Sequence, residues 1–269
     1  MTGAIGEERM PLFFHPLYTD GIHPDARFPR DRYRLIAERF ARRPLSDSVA
    51  VFESPLATAA DLKLVHDAQY VDRFLNGLMD MSERRRIGLR PWTDGIIPRT
   101  LHIMGGALAG LACVAANGGL AANMAGGTHH AHKDWGSGFC VFNDVALCAH
   151  AALEQYAFER VLVIDLDVHQ GDGTATMLAD EPRAFTVSVH CGANFPFRKK
   201  QSDLDLEVDA GTGDTGYLAA VDRGLAAGLA FDPDLILFQA GVDGLATDAL
   251  GKLDITRRGM RIRNQRVFD

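Results

Sequence analysis

Three carboxylates and an imidazole crowd one short stretch of this 269-residue chain, Asp165-Leu-Asp167-Val-His169-Gln-Gly-Asp172-Gly173. The run before it, Val161-Leu-Val-Ile164, is wholly apolar and reads as a buried strand. Side chains at i, i+2 and i+4 of an extended chain share a face, which puts Asp165, Asp167 and His169 on one side. Two carboxylates ~7 Å apart at the end of such a strand are costly unless cations neutralise them. One hard cation and one zinc-like ion would do so. The competing reading, a loop of solvated acids, fits poorly with the apolar run that leads into it.

Two other segments carry matching chemistry. In Ala125-Gly-Gly-Thr-His129-His130-Ala131-His132, adjacent histidines follow a glycine turn, and Trp135-Gly-Ser-Gly138-Phe139-Cys140 comes next. In Leu235-Ile-Leu-Phe-Gln239-Ala-Gly-Val-Asp243, another apolar run ends in an acid. Taken alone, the histidine pair is weak evidence, and Asp243 reads equally well as a helix cap or turn residue. Three strand ends of this kind in one chain are a stronger signal. In open α/β sheets the ligand crevice lies outside the carboxyl ends of the strands.

Periodicity supplies the elements that would hold these residues. Strands are expected at 12–15, 49–52, 120–124, 161–165, 185–190 and 235–240. Helices are expected at 30–42, 61–78 with breaks, 99–117, 144–156, 173–179, 215–230 and 256–268. Gly118-Gly119 closes the helix that ends at Asn117, and a long loop is expected from Arg86 to Ile97. Apolar strands alternating with helices imply a parallel sheet covered on both faces. Residues 1–10 read as a disordered tail, and 11–269 as a single domain.

Composition excludes several classes. The net charge of −7 gives no basic footprint for nucleic acid. Arg257, Arg258, Arg261, Arg263 and Arg266 form a basic run, read as a solvated helix face. The four cysteines are scattered with no Cys-x-x-Cys pair, which fits a reducing cytoplasm and argues against a zinc ribbon. No apolar stretch of ~20 residues runs without polar interruption, so no membrane span is expected, and the Ala/Gly-rich stretch from Leu101 to Ala116 reads as a core helix.

With these motifs in this order, the chain resembles the histone deacetylase family of the arginase/deacetylase fold. The stretch from Asn194 to Asp205 and Gly211-Thr-Gly-Asp214 resembles the class IV and bacterial branch. The resemblance runs from about Pro11 to the last residue. It implies a three-layer α/β fold, a mainly parallel sheet with helices on both faces. It implies zinc ligands Asp167, His169 and Asp243, leaving a position open for water and substrate. Oxygen and nitrogen donors without thiolate also suit Fe(II) or Co(II). His129 and His130 become the acid/base pair, oriented by Asp165 and Asp172, although Asp172 also suits a helix N-cap. A structural potassium ion would be held by Asp165, Asp167, the carbonyls of His169 and Val189, and the Ser188 hydroxyl. Gly138 and Phe139 match one wall of an acyl-lysine tunnel and Phe195 its opposite rim, with ordinary core as the alternative for the two aromatics.

The implied activity is zinc-dependent hydrolysis of an N-acyl-lysine peptide, protein or small acylated amine, in which metal-activated water attacks the amide carbonyl. A binuclear ureohydrolase on the same fold favours Asp-x-His-x-Asp, whereas Gly171 stands two residues after His169. A weakly active or inactive metal-binding homologue is the other alternative. Its support is the family's tyrosine after a glycine-rich turn, which has no counterpart among Tyr18, Tyr33, Tyr70, Tyr156 and Tyr217. Losing one oxyanion donor costs ~2.7–4 kcal/mol, so a turnover deficit of at least ~10² is expected. Tyr18 is the first candidate for a substitute donor.

Overall fold

The computed structural model describes residues 9–42 and 48–269. The expected tail at 1–10 lies outside them as far as residue 8, and Met10 already opens a strand. The chain divides into two compact units. One comprises residues 1–128 and 134–148; the other comprises 129–133 and 149–269.

In the first unit, β1 (Met10–Phe14) pairs in parallel with β2 (Val49–Glu53) and with the two-residue β3 (Ala122–Asn123), giving the order β2-β1-β3. Its helices are α1 (Leu17–Asp20), α2 (Asp31–Arg42), α3 (Ala59–Leu62), α4 (Ala68–Leu75), α5 (Met81–Ile87), α6 (Ile96–Asn117) and, in part, α7 (Asp144–Gln155). α5 is bounded by strong signals: an Asp80–Glu83 capping box at its start and Gly88 in the left-handed region at its end. α6 starts three residues before its expected first residue, because Pro98 falls in the first turn, where its missing N–H is not needed. By length and composition alone α6 could cross a membrane. Within the unit it packs against β1, β3 and α1.

The second unit holds a four-stranded parallel sheet of order β6-β5-β4-β7, built from β4 (Val161–Asp165), β5 (Ala184–Cys191), β6 (Leu204–Val208) and β7 (Leu235–Gln239). α8 (Asp172–Leu178) links β4 to β5, and α9 (Asp214–Leu229) packs on β4, β5 and β6. α10 (Arg257–Phe268) packs on α9. β4 lies between β5 and β7 and is buried along its whole length, as its apolar composition requires. Leu162, Ile164, Val187 and Val189 share one core with Tyr217, Val221 and Met260.

β6 was not expected. Its alternation Leu-Asp-Leu-Glu-Val carries a strand signal that its two acids weaken, and it takes the edge of the sheet. The basic run is also corrected in part. Arg257, Arg258 and Arg261 are exposed, but Arg263 is completely buried.

Gly173, the second residue of α8, touches the histidine turn so closely that an added Cβ would overlap the Ala131 carbonyl. Backbone cannot give way cheaply, so Gly173→Ala should destabilise the protein by about 1–3 kcal/mol despite alanine's better helix propensity. Chemical denaturation of the purified variant measures this.

Candidate active site

The strand hydrogen-bond pattern of β4 stops at Asp165, earlier than simple alternation through His169 requires. Two side-chain turns replace it. The Asp167 N–H donates to Asp165 Oδ1 at 3.1 Å, and the His169 N–H donates to Asp167 Oδ1 at 2.9 Å. The sidedness survives, because Leu166 and Val168 enter the core. Asp165, Asp167 and His169 are left to the other side.

After β7, the chain brings Asp243 to the same place. Asp243 Oδ1 accepts the Val168 N–H at 3.0 Å, and its Oδ2 lies 3.0 Å from His169 Nδ1. Asp167 Oδ1 lies at the same distance from Nδ1, 3.0 Å. One ligand atom from each of Asp167, His169 and Asp243 falls within 4.8 Å of the others. Gln239, at the end of β7, donates to Asp167 Oδ2 at 3.2 Å and accepts the Gly241 N–H at 2.6 Å. A Cβ on Gly241 would collide with that same Asp167 oxygen, so only glycine allows the two loops this close.

The donor set fits a metal ion. Two carboxylates and one imidazole converge, and no thiolate is among them. Their field shows the same demand for positive charge. Burial disfavours a charged His169, yet Asp167 and Asp243 raise its pKa to about 10. A bound cation would satisfy that demand in place of the proton.

The paired histidines are held by different acids. His129 Nδ1–H donates to Asp165 Oδ2 at 2.6 Å, and His130 Nδ1–H donates to Asp172 Oδ1 at 2.7 Å. Their rings stand 4.1 Å apart between centroids. Burial opposes the charge on His129, but Asp165 and Asp167 outweigh it and raise its pKa to about 9. For His130, burial and then the charge of His129 prevail over Asp172, lowering its pKa to about 4. Asp172 is the first residue of α8, and its side chain makes no cap. Its carboxylate instead serves His130 and, at 3.2 Å, His132 Nε2.

The ring of Phe195, in the loop between β5 and β6, packs edge-on against His130 at 4.9 Å between centroids. Ser188 is the register partner of Asp165 on β5, but its hydroxyl is 2.9 Å from His190 Nδ1. Val189 contributes its side chain to the core. Gly138 and Phe139 lie in the first unit, in a turn where both have positive φ, and the Phe139 ring meets Phe28. Tyr18 is also in the first unit. Its hydroxyl donates to Ser54 and is within hydrogen-bond distance of Asn123 and the His102 carbonyl, an engagement that argues against a substitute donor role. Asp144 accepts the N–H groups of Gly127 and Thr128, fixing the turn that leads into the histidines.

Arg263 was missed as a site residue. Its guanidinium donates to the carbonyls of Leu166 at 3.2 Å, of Ala240 at 3.4 Å and of Gly241. Leu166 lies between Asp165 and Asp167, and Gly241 lies two residues before Asp243. One side chain thus ties together the backbones of both ligand loops. Among the five arginines of α10, nothing in the sequence singled it out.

The histone deacetylase domain model matches residues 26–269. The chain belongs to the histone deacetylase family. It is 41% identical to an uncharacterized protein of Picosynechococcus over 96% of this chain and 86% of that one. It is 30% identical to histone deacetylase 2 of Arabidopsis thaliana, over 92% of this chain but 65% of the relative. It is also 30% identical to the acetoin utilization protein AcuC of Bacillus subtilis, over 91% of this chain and 69% of the relative. A crystal structure of an HDAC homolog complexed with SAHA superposes with a TM-score of 0.83 at 24% identity, covering 97% of this chain and 75% of the other. The fold is therefore the three-layer α/β arrangement of this family, with parallel sheets and helices on both faces.

Two outcomes check the site. Asp243→Ala should abolish stoichiometric divalent metal, read by elemental analysis of the purified protein. Arg263→Met should leave three carbonyls without their charged donor and lower unfolding stability by at least about 2 kcal/mol, with weaker zinc retention against a chelator. Arg263→Lys should recover only part of this, since an ammonium lacks the planar fork.

Proposed function

We propose that this protein is a zinc-dependent amidohydrolase that removes an acyl group from N-acyl-lysine or a related acylated amine. The observation that carries this reading is the set Asp167, His169 and Asp243 in the same unit as a His130 held by Asp172. Asp167, His169 and Asp243 would hold the zinc, with Fe(II) as the other metal that suits these donors. When bound, zinc supplies Lewis acidity, making water more acidic and an amide carbonyl more electrophilic.

The remaining chemistry belongs to the side chains. An ionised Asp172 keeps the proton of His130 on Nδ1, which leaves Nε2 as an acceptor. His130 Nε2 accepts a proton from the attacking water and returns it to the departing amine. His129 is held by Asp165, whose charge favours its protonated form, and in that form it would offset the negative charge that develops on the carbonyl oxygen. Phe195 shields one edge of His130 and offers an apolar surface to the aliphatic stem of an acyl-lysine. A potassium ion would take oxygens from Asp165, Asp167, Ser188 and the carbonyls of His169 and Val189, a reading supported by the register pairing of Asp165 with Ser188.

The test is hydrolysis of a fluorogenic acetyl-lysine peptide, blocked by a hydroxamate. His130→Ala should lose this activity, by on the order of a hundredfold or more, while keeping its metal. Loss of the metal in His130→Ala would show that His130 is a ligand and overturn the mechanism.

A further inference from the structure

A third histidine follows the glycine turn, and the chemistry above does not use it. His132 is buried, and its Nε2 lies 3.2 Å from Asp172 Oδ2, the oxygen that His130 leaves open. Its Nδ1 lies 2.8 Å from Thr176 Oγ1. Thr176 is exposed on α8, one turn after Asp172.

A neutral imidazole has one N–H. For Nε2 to donate to Asp172, Nδ1 must accept, and the Thr176 hydroxyl is placed to donate to it. That hydroxyl also lies 3.0 Å from the Asp172 carbonyl and 2.9 Å from the Gly173 carbonyl, so its single proton has competing acceptors. Turned toward the helix, it would leave a lone pair of His132 facing the carboxylate. Turned toward His132, it selects the tautomer that grips Asp172.

We propose that His132 is a positioning residue that fixes the Asp172 carboxylate against His130, with the Thr176 hydroxyl selecting the tautomer in which it does so. A carboxylate held through one oxygen can swing about its side-chain torsions. Held through both, it fixes the plane of the His130 ring and the aim of its Nε2. This deepens the reading of His130 and Asp172 as the acid–base pair and rests on it.

The test uses zinc-loaded protein and two readouts. The first is the downfield imidazole N–H resonance of His130, identified by its absence from His130→Ala. It should shift or broaden in His132→Leu and Thr176→Val, and persist in His132→Gln and Thr176→Ser, which keep a donor at each position. The second is turnover of the acetyl-lysine peptide. His132→Leu should lower kcat on the order of tenfold, the scale of one hydrogen bond to a charged group, with KM and zinc content unchanged. His132→Gln should recover most of that loss. An unmoved His130 resonance in His132→Leu, or a His132→Gln variant as impaired as His132→Leu, would overturn the proposal. Absence of turnover in the unmodified protein would refute the proposed function instead, and the resonance comparison would still decide the role of His132.

Discussion

Buried negative charge is the constraint on which the second unit depends. Asp165, Asp167 and Asp172 are buried and Asp243 is half-buried, all close to the carboxyl ends of β4 and β7. An ionised carboxylate taken out of water costs several kcal/mol if left alone. None of the four is alone. Backbone N–H groups of Asp167, Val168 and His169, the Gln239 amide and four imidazoles are distributed among them. Arg263 adds a fixed positive charge from α10 without touching any of the acids.

That constraint also explains the division of labour between the histidines. Asp165 and Asp167 raise the pKa of His129, while at His130 burial and the charge of His129 outweigh Asp172 and Asp167. The difference arises from position along the chain rather than from residue type. His129 meets the end of β4, and His130 meets the start of α8. Close approaches at Gly171, beside Asp165 and His129, and at Gly173, against the carbonyls of His129 and Ala131, make both meetings possible.

Much of this site was legible in the sequence because each part is local. The spacing Asp-x-Asp-x-His, the histidine pair and the acid after Gln-Ala-Gly-Val each sit within a few residues at an apolar strand end. The strands themselves were legible where they are buried on both faces, as for β4. β6 was not, because an edge strand with acids on its open face has the composition of a loop. Arg263 was not, because a run of arginines averages to a solvated surface, and only the fold shows that one of them points inward. His132 was visible as a residue but not as a participant. Its partners, Asp172 and Thr176, lie about forty residues away in sequence. Nothing in local spacing reports a contact of that range.

The guanidinium clamp also has a consequence in time. Leu166 and Arg263 are 97 residues apart. At ~5–20 residues per second, a ribosome delivers the first roughly 5–20 s before the second. During that interval the β4 loop already carries its acids and imidazole, but the side chain that locks it to the β7 loop has not been made. Only docking of α10 brings the charged donor that ties the Leu166, Ala240 and Gly241 carbonyls together. The order of synthesis therefore leaves the meeting of the two loops to the last helix to be made.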